Sequence, residues 1–403
     1  MKIAIIGGGI SGVVSTVKLS KDLPDCEIDL YEKKESLLDG PPYCHLHAGG
    51  FLYPEMPLAD CKELLLDSIE FANMFPNAII HRPTVIAYNK HSSYNPQSLE
   101  YKCFHLSRTY ALAGSTALGK PYLFYAVYSY EDAVYFKEHG CLPKKQDKAR
   151  QYHDMFVSQF LNLLTNIDSI KYPFACVNEP GIDQKKVMDH CLDLLKESRV
   201  KLHLATVIKP HDIHNLSKTW YIKDSRYDAL VNASGYASRD VFPNVSMVEF
   251  KSSFLIQNEI DQRFLPEIAI IGKRQTKDGL LQITPIGNNE FQLHSMTTDS
   301  SIITTASSCV STLSFDAHQR TAKALERIIA FMPAFEDSVI LGKALSGVQR
   351  IPIKSVEKRL SQIVCDPSKN YVEFQTIKAT SVVSLSNKTR MFFASLKRTF
   401  HNN

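Results

Sequence analysis

The 403-residue sequence has no Cys-x-x-Cys pair, no Asp or Glu after Glu373, and no apolar run near the length of a membrane span. Such a span needs about 18 uninterrupted apolar residues, so an integral membrane protein is not expected. Nine cysteines at 26, 44, 61, 103, 141, 176, 191, 309 and 365 are odd in number and widely scattered. They suggest neither zinc ligation nor a disulfide framework, and point to free thiols in the cytoplasm. No nucleophile elbow, Walker turn or pair of metal carboxylates occurs, and no repeat period emerges. A net charge of +4 is too mild to imply nucleic acid. The expected partner is a small-molecule substrate, with no metal and no nucleic acid.

What remains is an ordinary globular mixture, 44% hydrophobic and 22% charged, long enough for two or three domains. Its strongest signal lies at the start. Lys2 to Ile6 reads as a buried strand that runs into Gly7-Gly8-Gly9-Ile10-Ser11-Gly12, after which Val13 to Leu19 carries helical spacing. The glycine interruptions and the charges at Lys18 and Lys21 argue against a signal peptide, so this is expected to be the first strand, with no catalytic domain before it. In a G-x-G-x-x-G turn, Gly7 permits the tight bend, Gly9 lets backbone approach a pyrophosphate, and Gly12 lets helix pack on strand. The amides at Ile10 and Ser11 then face the phosphates.

Glu27 to Glu32 forms a second strand pattern, and Glu32 lies twenty residues after Gly12. A carboxylate there accepts hydrogen bonds from both hydroxyls of an adenosine ribose and repels a 2′-phosphate, which selects FAD or NAD over NADP. Lys33 follows it. Asp228 to Gly235 (DALVNASG) is a further apolar strand that delivers Ala233 and Gly235 to a turn. Between them, Lys185 to Ser198 has the spacing of an amphipathic helix, Val200 to Val207 reads as a strand, and Trp220-Tyr221-Ile222 as part of a hairpin.

With these pieces in place the chain resembles the D-amino-acid-oxidase-like family of FAD-dependent oxidoreductases. The resemblance rests on GGGISG with Glu32, the loop Cys44-His45-Leu46-His47-Ala48-Gly49-Gly50, DALVNASG, and Gly347-Val348-Gln349-Arg350-Ile351-Pro352. It implies a discontinuous Rossmann-like FAD domain with an inserted, mainly antiparallel α+β substrate domain, in which hydride passes from a substrate C–H to the flavin. The resemblance also implies that Val207 presents backbone to the adenine and that Cys44, His47 and Ala48 run under the flavin ring. His47 resembles the histidine that the dimethylglycine and sarcosine dehydrogenase branch joins covalently to flavin, so covalent and hydrogen-bonded FAD both stay open. Arg350 is the nearest match to the family's substrate-carboxylate clamp, a role suited to a guanidinium fork. Malate:quinone oxidoreductases carry a Gly-Gln-Arg near this place. The family usually closes with a glycine-rich turn, and here no glycine follows Arg350.

Four strand patterns, Val248–Gln257, Ile268–Gly272, Gly279–Pro285 and Glu290–Met296, suggest an antiparallel substrate sheet with a turn at Gly287-Asn288-Asn289. Alternation sets His294 and Gln292 opposite Phe291 and Leu293, making His294 the candidate base. Asn89 to Tyr101 reads as a loop, Met155–Leu164 and Ala317–Met332 as helices, and Tyr371 to Ser384 as strand-like. The tyrosines of Tyr122 to Tyr135 suit either core packing or a substrate entrance.

The expected division is a FAD domain of residues 1–80, 170–240 and 300–386, a substrate domain of 81–169 and 241–299, and a basic tail of 387–403. That tail carries Lys388, Arg390, Lys397 and Arg398 with Phe392, Phe393, Leu396 and Phe400, and suits contact with an anionic membrane surface. The function so implied is an FAD-dependent oxidoreductase acting on a small carboxylate-bearing amine or 2-hydroxy acid. A peripheral quinone-reducing dehydrogenase, an accessory flavoprotein and an NAD-only dehydrogenase are the alternatives.

Overall fold

The computed structural model describes residues 1–38, 43–235, 247–273, 276–296, 301–305, 317–351, 361–375 and 378–401; residues 247–252, 301–305, 317–321, 343–351 and 399–401 are described through their backbone alone. Two large sheets organise them. The first holds β1 (Lys2–Ile6), β2 (Glu27–Tyr31), β9 (Val200–His203), β13 (Ala229–Asn232), β20 (Ile363–Asp366) and β21 (Tyr371–Phe374), in the order β20-β21-β13-β1-β2-β9. All neighbours are parallel except the edge pair β20–β21. The central strands β1 and β13, buried on both faces, read as near-continuous apolar runs, as parallel sheets do, while the edge strands β9 and β20 are partly exposed.

The second sheet is mainly antiparallel. It comprises β5 (Thr84–Asn89), β6 (Tyr125–Tyr128), β7 (Ile170–Val177), β14 (Met247–Gln257), β15 (Glu267–Ile271), β16 (Leu280–Gly287), β17 (Glu290–Met296), β18 (Ser301–Thr305) and β19 (Val339–Ile351). Only β5 and β15 pair in parallel. The β16–β17 hairpin turns through Gly287, Asn288 and Asn289, all at positive φ. A small sheet of β3 (Tyr43–His45), β4 (Ile79–Ile80) and β8 (Gly181–Asp183) lies between them in sequence.

Pleating gives the second sheet two unlike faces. Phe254, Leu281, Ile283, Phe291 and Leu293 share an apolar cluster with α4 (Tyr130–His139), α5 (Lys148–Leu163) and α7 (Ala317–Phe331). Ile86, Ala175, Ala269, Leu280 and Met296, on the other face, join the cluster built by β1, α1 (Ile10–Asp22) and α2 (Leu58–Met74). That second face therefore looks at the first domain, and it carries Gln282 and His294.

The expected domain limits move. β7 pairs with β5 and β6, and β18 and β19 both pair with β14, so residues 170–177, 301–305 and 339–351 belong to the second sheet. Long-range pairing decides this, and local pattern does not carry it. The strand reading of residues 371–384 holds only to Phe374; α8 runs from Val382 to His401 after a short 3-10 turn at 379–381. The boundary at 387 thus falls inside a helix. Along α8, Lys388, Arg390 and Lys397 pair with Glu63, Asp22 and Asp25 of the first domain, and Ser386 Oγ lies 2.9 Å from Ser15 Oγ. Residues 89–101 are not all loop either, because α3 spans Pro96–Leu112, capped by Asn95. The eight described cysteines are free thiols.

Candidate functional site

Gly7 follows β1 at φ +108 and donates its N–H to Tyr31 O at 2.8 Å. A Cβ there would stand 2.4 Å from Ala233 O, and one on Gly12 would stand 1.8 Å from Gly7 O. Both positions must therefore be glycine for strand and helix to close. Gly9 differs: it is exposed, and a Cβ on it meets nothing within 4 Å. It caps α1, whose first turn has neither an acidic residue nor a side-chain cap. Among the described residues, the leading amides of Ile10 and Ser11 therefore have no side-chain acceptor, the condition under which a helix N-terminus takes an anion.

Glu32 leaves β2 at the same edge. Its carboxylate accepts from Gly8 N at 2.6 Å and Lys34 N at 2.9 Å, which aims it at the glycine turn. Thr206 N and Ala205 N donate to Glu32 O and Lys34 O, at 2.8 Å each. These bonds bring Val207, 53% exposed, to the same carboxyl end of the sheet. Ala233 is tied to Ile6 O, and Gly235 follows at φ +62. Gly7, Gly9, Ile10, Ser11, Gly12, Glu32, Lys33, Val207, Ala233 and Gly235 thus gather along one edge. An adenosine diphosphate moiety fits this donor set: an open glycine, unfilled helix amides, and a fixed carboxylate.

The second part of the site is the loop after β3. Cys44 Sγ accepts from Gln184 Nε2 at 2.7 Å, while Leu46 and Ala48 are fully buried in the first domain's core. His47 donates its backbone N–H to Thr380 Oγ1 at 3.1 Å, and its Nε2 lies 3.3 Å from the Tyr53 hydroxyl. Thr380 belongs to the turn that opens the last helix. Lys378, also buried there, sets Nζ 4.7 Å from the centre of the Tyr53 ring. Where the resemblance calls for a terminal glycine turn, the chain offers Lys378 and Thr380 instead.

His45, which the sequence did not single out, anchors this loop to the second sheet. Its Nδ1 lies 2.6 Å from Glu267 Oε1 and its Nε2 3.0 Å from Glu179 Oε2. Glu267 also receives Arg82 Nη2 and Gln282 Nε2 at 2.5 Å each. Burial works against a charge on His45, but Glu267 and then Glu179 outweigh it and lift its pKa to about 10. Burial likewise opposes ionisation of Glu267, yet His45 and Arg82 hold it down to about 2. With His45 protonated, two carboxylates face two cations. Side-chain atoms of His45, His47 and Glu179 lie within 4.8 Å of one another, a spacing that suits a metal ion. Without a metal, the short distances of His45 to Glu267 and Glu179 make the group an ion-pair network, and a metal ion would have to displace the imidazole proton.

Ser253, His294 and Gln282 occupy adjacent register positions on β14, β17 and β16. From His294 the route runs to Gln282 opposite it, on to Glu267, and then to His45, whose ring meets His47 edge to face at 4.9 Å. Arg350 is not in this row. It pairs with Val248, five positions from Leu345, which is opposite Ser253, or about 17 Å along the strand. Pro352 lies outside the described residues. Sequence reasoning missed His45, Arg82, Glu179, Glu267, Lys378 and Thr380. The only available signal was His45 alternating with His47.

No family model and no curated protein matches the chain. Solved structures do, over nearly all of it. An L-amino acid deaminase from Proteus vulgaris, solved without its specific insertion sequence, is 13% identical, covering 98% of this chain and 89% of that one at a TM-score of 0.64. L-proline dehydrogenase from P. horikoshii is 12% identical, with 98% and 93% covered and a TM-score of 0.66. L-α-glycerophosphate oxidase from Mycoplasma pneumoniae, solved with FAD bound, is 11% identical, with 97% and 94% covered and a TM-score of 0.63. At such identities the likeness is one of fold: the chain has the two-domain architecture, Rossmann-like domain plus substrate-type sheet, of these deaminase, dehydrogenase and oxidase structures.

Proposed function

We propose that the chain is an FAD-dependent oxidoreductase that takes hydride from a small carboxylate-bearing substrate, an amino acid or a 2-hydroxy acid. The carrying observation is the turn at Gly7 to Gly12, open at Gly9 and faced by Glu32 on the Gly8 amide. The neighbouring structures support the reading, since their names include amino acid oxidising enzymes and one holds FAD. The helix amides at Ile10 and Ser11 would hold the pyrophosphate, Glu32 the ribose, and Val207 with Ala233 and Gly235 the adenine side. Bound there, FAD supplies a two-electron acceptor for hydride.

The chain's own residues would position the substrate against that acceptor. His47 and Ala48 form a floor fixed by Thr380 and by burial. Gln282 and His294 form a polar wall on the facing sheet, and His294 is the group suited to accept a proton from the substrate amine or hydroxyl. His45, ion-paired to Glu267 and Glu179, would orient the loop. Arg350 lies five register positions along β19 from that wall, beyond the reach of one small substrate held against His294. Whether His47 is bonded to FAD is decided by acid denaturation, its Nε2 lying 3.3 Å from the Tyr53 hydroxyl.

The test is the absorption spectrum of the purified protein, followed by anaerobic mixing with a panel of amino acids and 2-hydroxy acids. A yellow protein that bleaches with one of them is expected, its colour released by acid denaturation. A colourless protein that takes up no added FAD removes the proposal.

A further inference from the structure

The exposed side of α3 has a composition that its buried side does not explain. Leu99, Cys103, Leu106 and Tyr110 face the core, as an amphipathic helix requires. Yet Tyr101, Phe104 and Leu112, on the opposite side, are 58%, 47% and 87% exposed. With His105 and Arg108 they form one stripe at spacings of three and four residues. The chain after α3 brings up Tyr122, also 58% exposed, and the Tyr110 hydroxyl ties the helix to this segment through Gly119 O and Leu118 N.

Charge on this face has one sign. Residues 101 to 130 contain no Asp or Glu, and the exposed Glu100 and Asp147 flank the face. Among the described residues, Arg108, Lys120 and Lys148 lie over the rings of Phe104 and Tyr122, at 5.7, 5.9 and 5.9 Å, and not against carboxylates. The basic side chains of α8 are placed otherwise, in ion pairs with Asp22, Asp25 and Glu63.

We propose that this face of α3, with the Lys120–Tyr122 segment, docks the protein on an anionic lipid surface. Tyrosine, phenylalanine and leucine among cations suit the boundary between headgroups and acyl chains. A negative surface also complements a face that has cations and no acid of its own. A second copy is the poorer occupant, since a twofold contact would set this basic patch against the same basic patch.

The test uses the full-length protein, sedimented with vesicles of phosphatidylcholine alone or with about one third phosphatidylglycerol. Pelleting with the anionic vesicles at low salt is expected, falling at about 0.3 M salt and absent with neutral vesicles. The double variant Phe104→Glu/Leu112→Glu should lose binding by about tenfold or more, and the charge reversal Arg108→Glu/Lys120→Glu by a smaller factor. Thermal melting should match the parent, because all four side chains are exposed, and Lys388→Gln in α8 should bind like the parent. Three results overturn the proposal: no pelleting with anionic vesicles, pelleting lost in Lys388→Gln but kept in the double variant, or a dimer that the double variant converts to monomer without any vesicle binding.

Discussion

The glycine turn at residues 7–12 and the ion-pair network around His45 are built by opposite means. The turn is made of backbone: three glycines, a helix end and one carboxylate within about thirty residues of chain. The network is made of side chains drawn from β3, the segment before β5, the second residue past β7 and the start of β15. A backbone site tolerates little except glycine, whereas a buried charge network tolerates little except complete partnership. The first constraint leaves a mark in sequence and the second leaves none.

Breaking the network should have the larger effect. Glu267→Leu removes one carboxylate from a fully buried group and strands Arg82 and His45, which by analogy with broken buried pairs costs about 3–5 kcal/mol. The expected outcome is a large drop in the urea midpoint, or insoluble protein. In the turn, Gly12→Ala forces a Cβ against Gly7 O and should cost about 1–3 kcal/mol. Gly9→Ala should leave the melting temperature nearly unchanged and weaken FAD uptake, measured by flavin fluorescence on titration. Equal effects of the two glycine variants would end the distinction drawn between them.

pH sharpens the same contrast. The raised pKa of His45 contributes stability that is fully present below about 6.5 and is lost as pH rises toward about 10. The depressed pKa of Glu267 contributes above about 4.5 and is lost as pH falls toward about 2. The network is therefore worth most between those inner values. Denaturant melts should show stability declining from pH 7 to 10, and His45→Gln should flatten that limb. Smallest is Glu32→Gln, an isosteric change at a partly exposed site. It should weaken FAD by about tenfold or more through lost charge-assisted bonds, with little change in melting.

What the sequence revealed follows the same division. Gly7, Gly9, Gly12 and Glu32 could be read because local geometry demands them. The hairpin at Gly287-Asn288-Asn289 was equally legible, since positive φ selects glycine and asparagine. The start of α3 had a signal that went unread: Asn95 accepts from Gln97 N with Pro96 at the first helical position. Val382 and Val383 suggested a strand by β-branching, but burial against the first domain's core made them helical. Nothing local relates Glu179 and Glu267 to His45.

One arrangement in the first sheet bears on how the chain holds together. β1 ends at residue 6, and the neighbour of its neighbour is β21 at residues 371–374, with α8 clasping α1 after that. Among the described residues, the first sheet therefore closes only with residues 371–374, whereas the last described strand of the mainly antiparallel sheet ends at residue 351. A chain cut after residue 351 should therefore keep a protease-resistant second sheet while the first, lacking β21 and α8, is cleaved more readily.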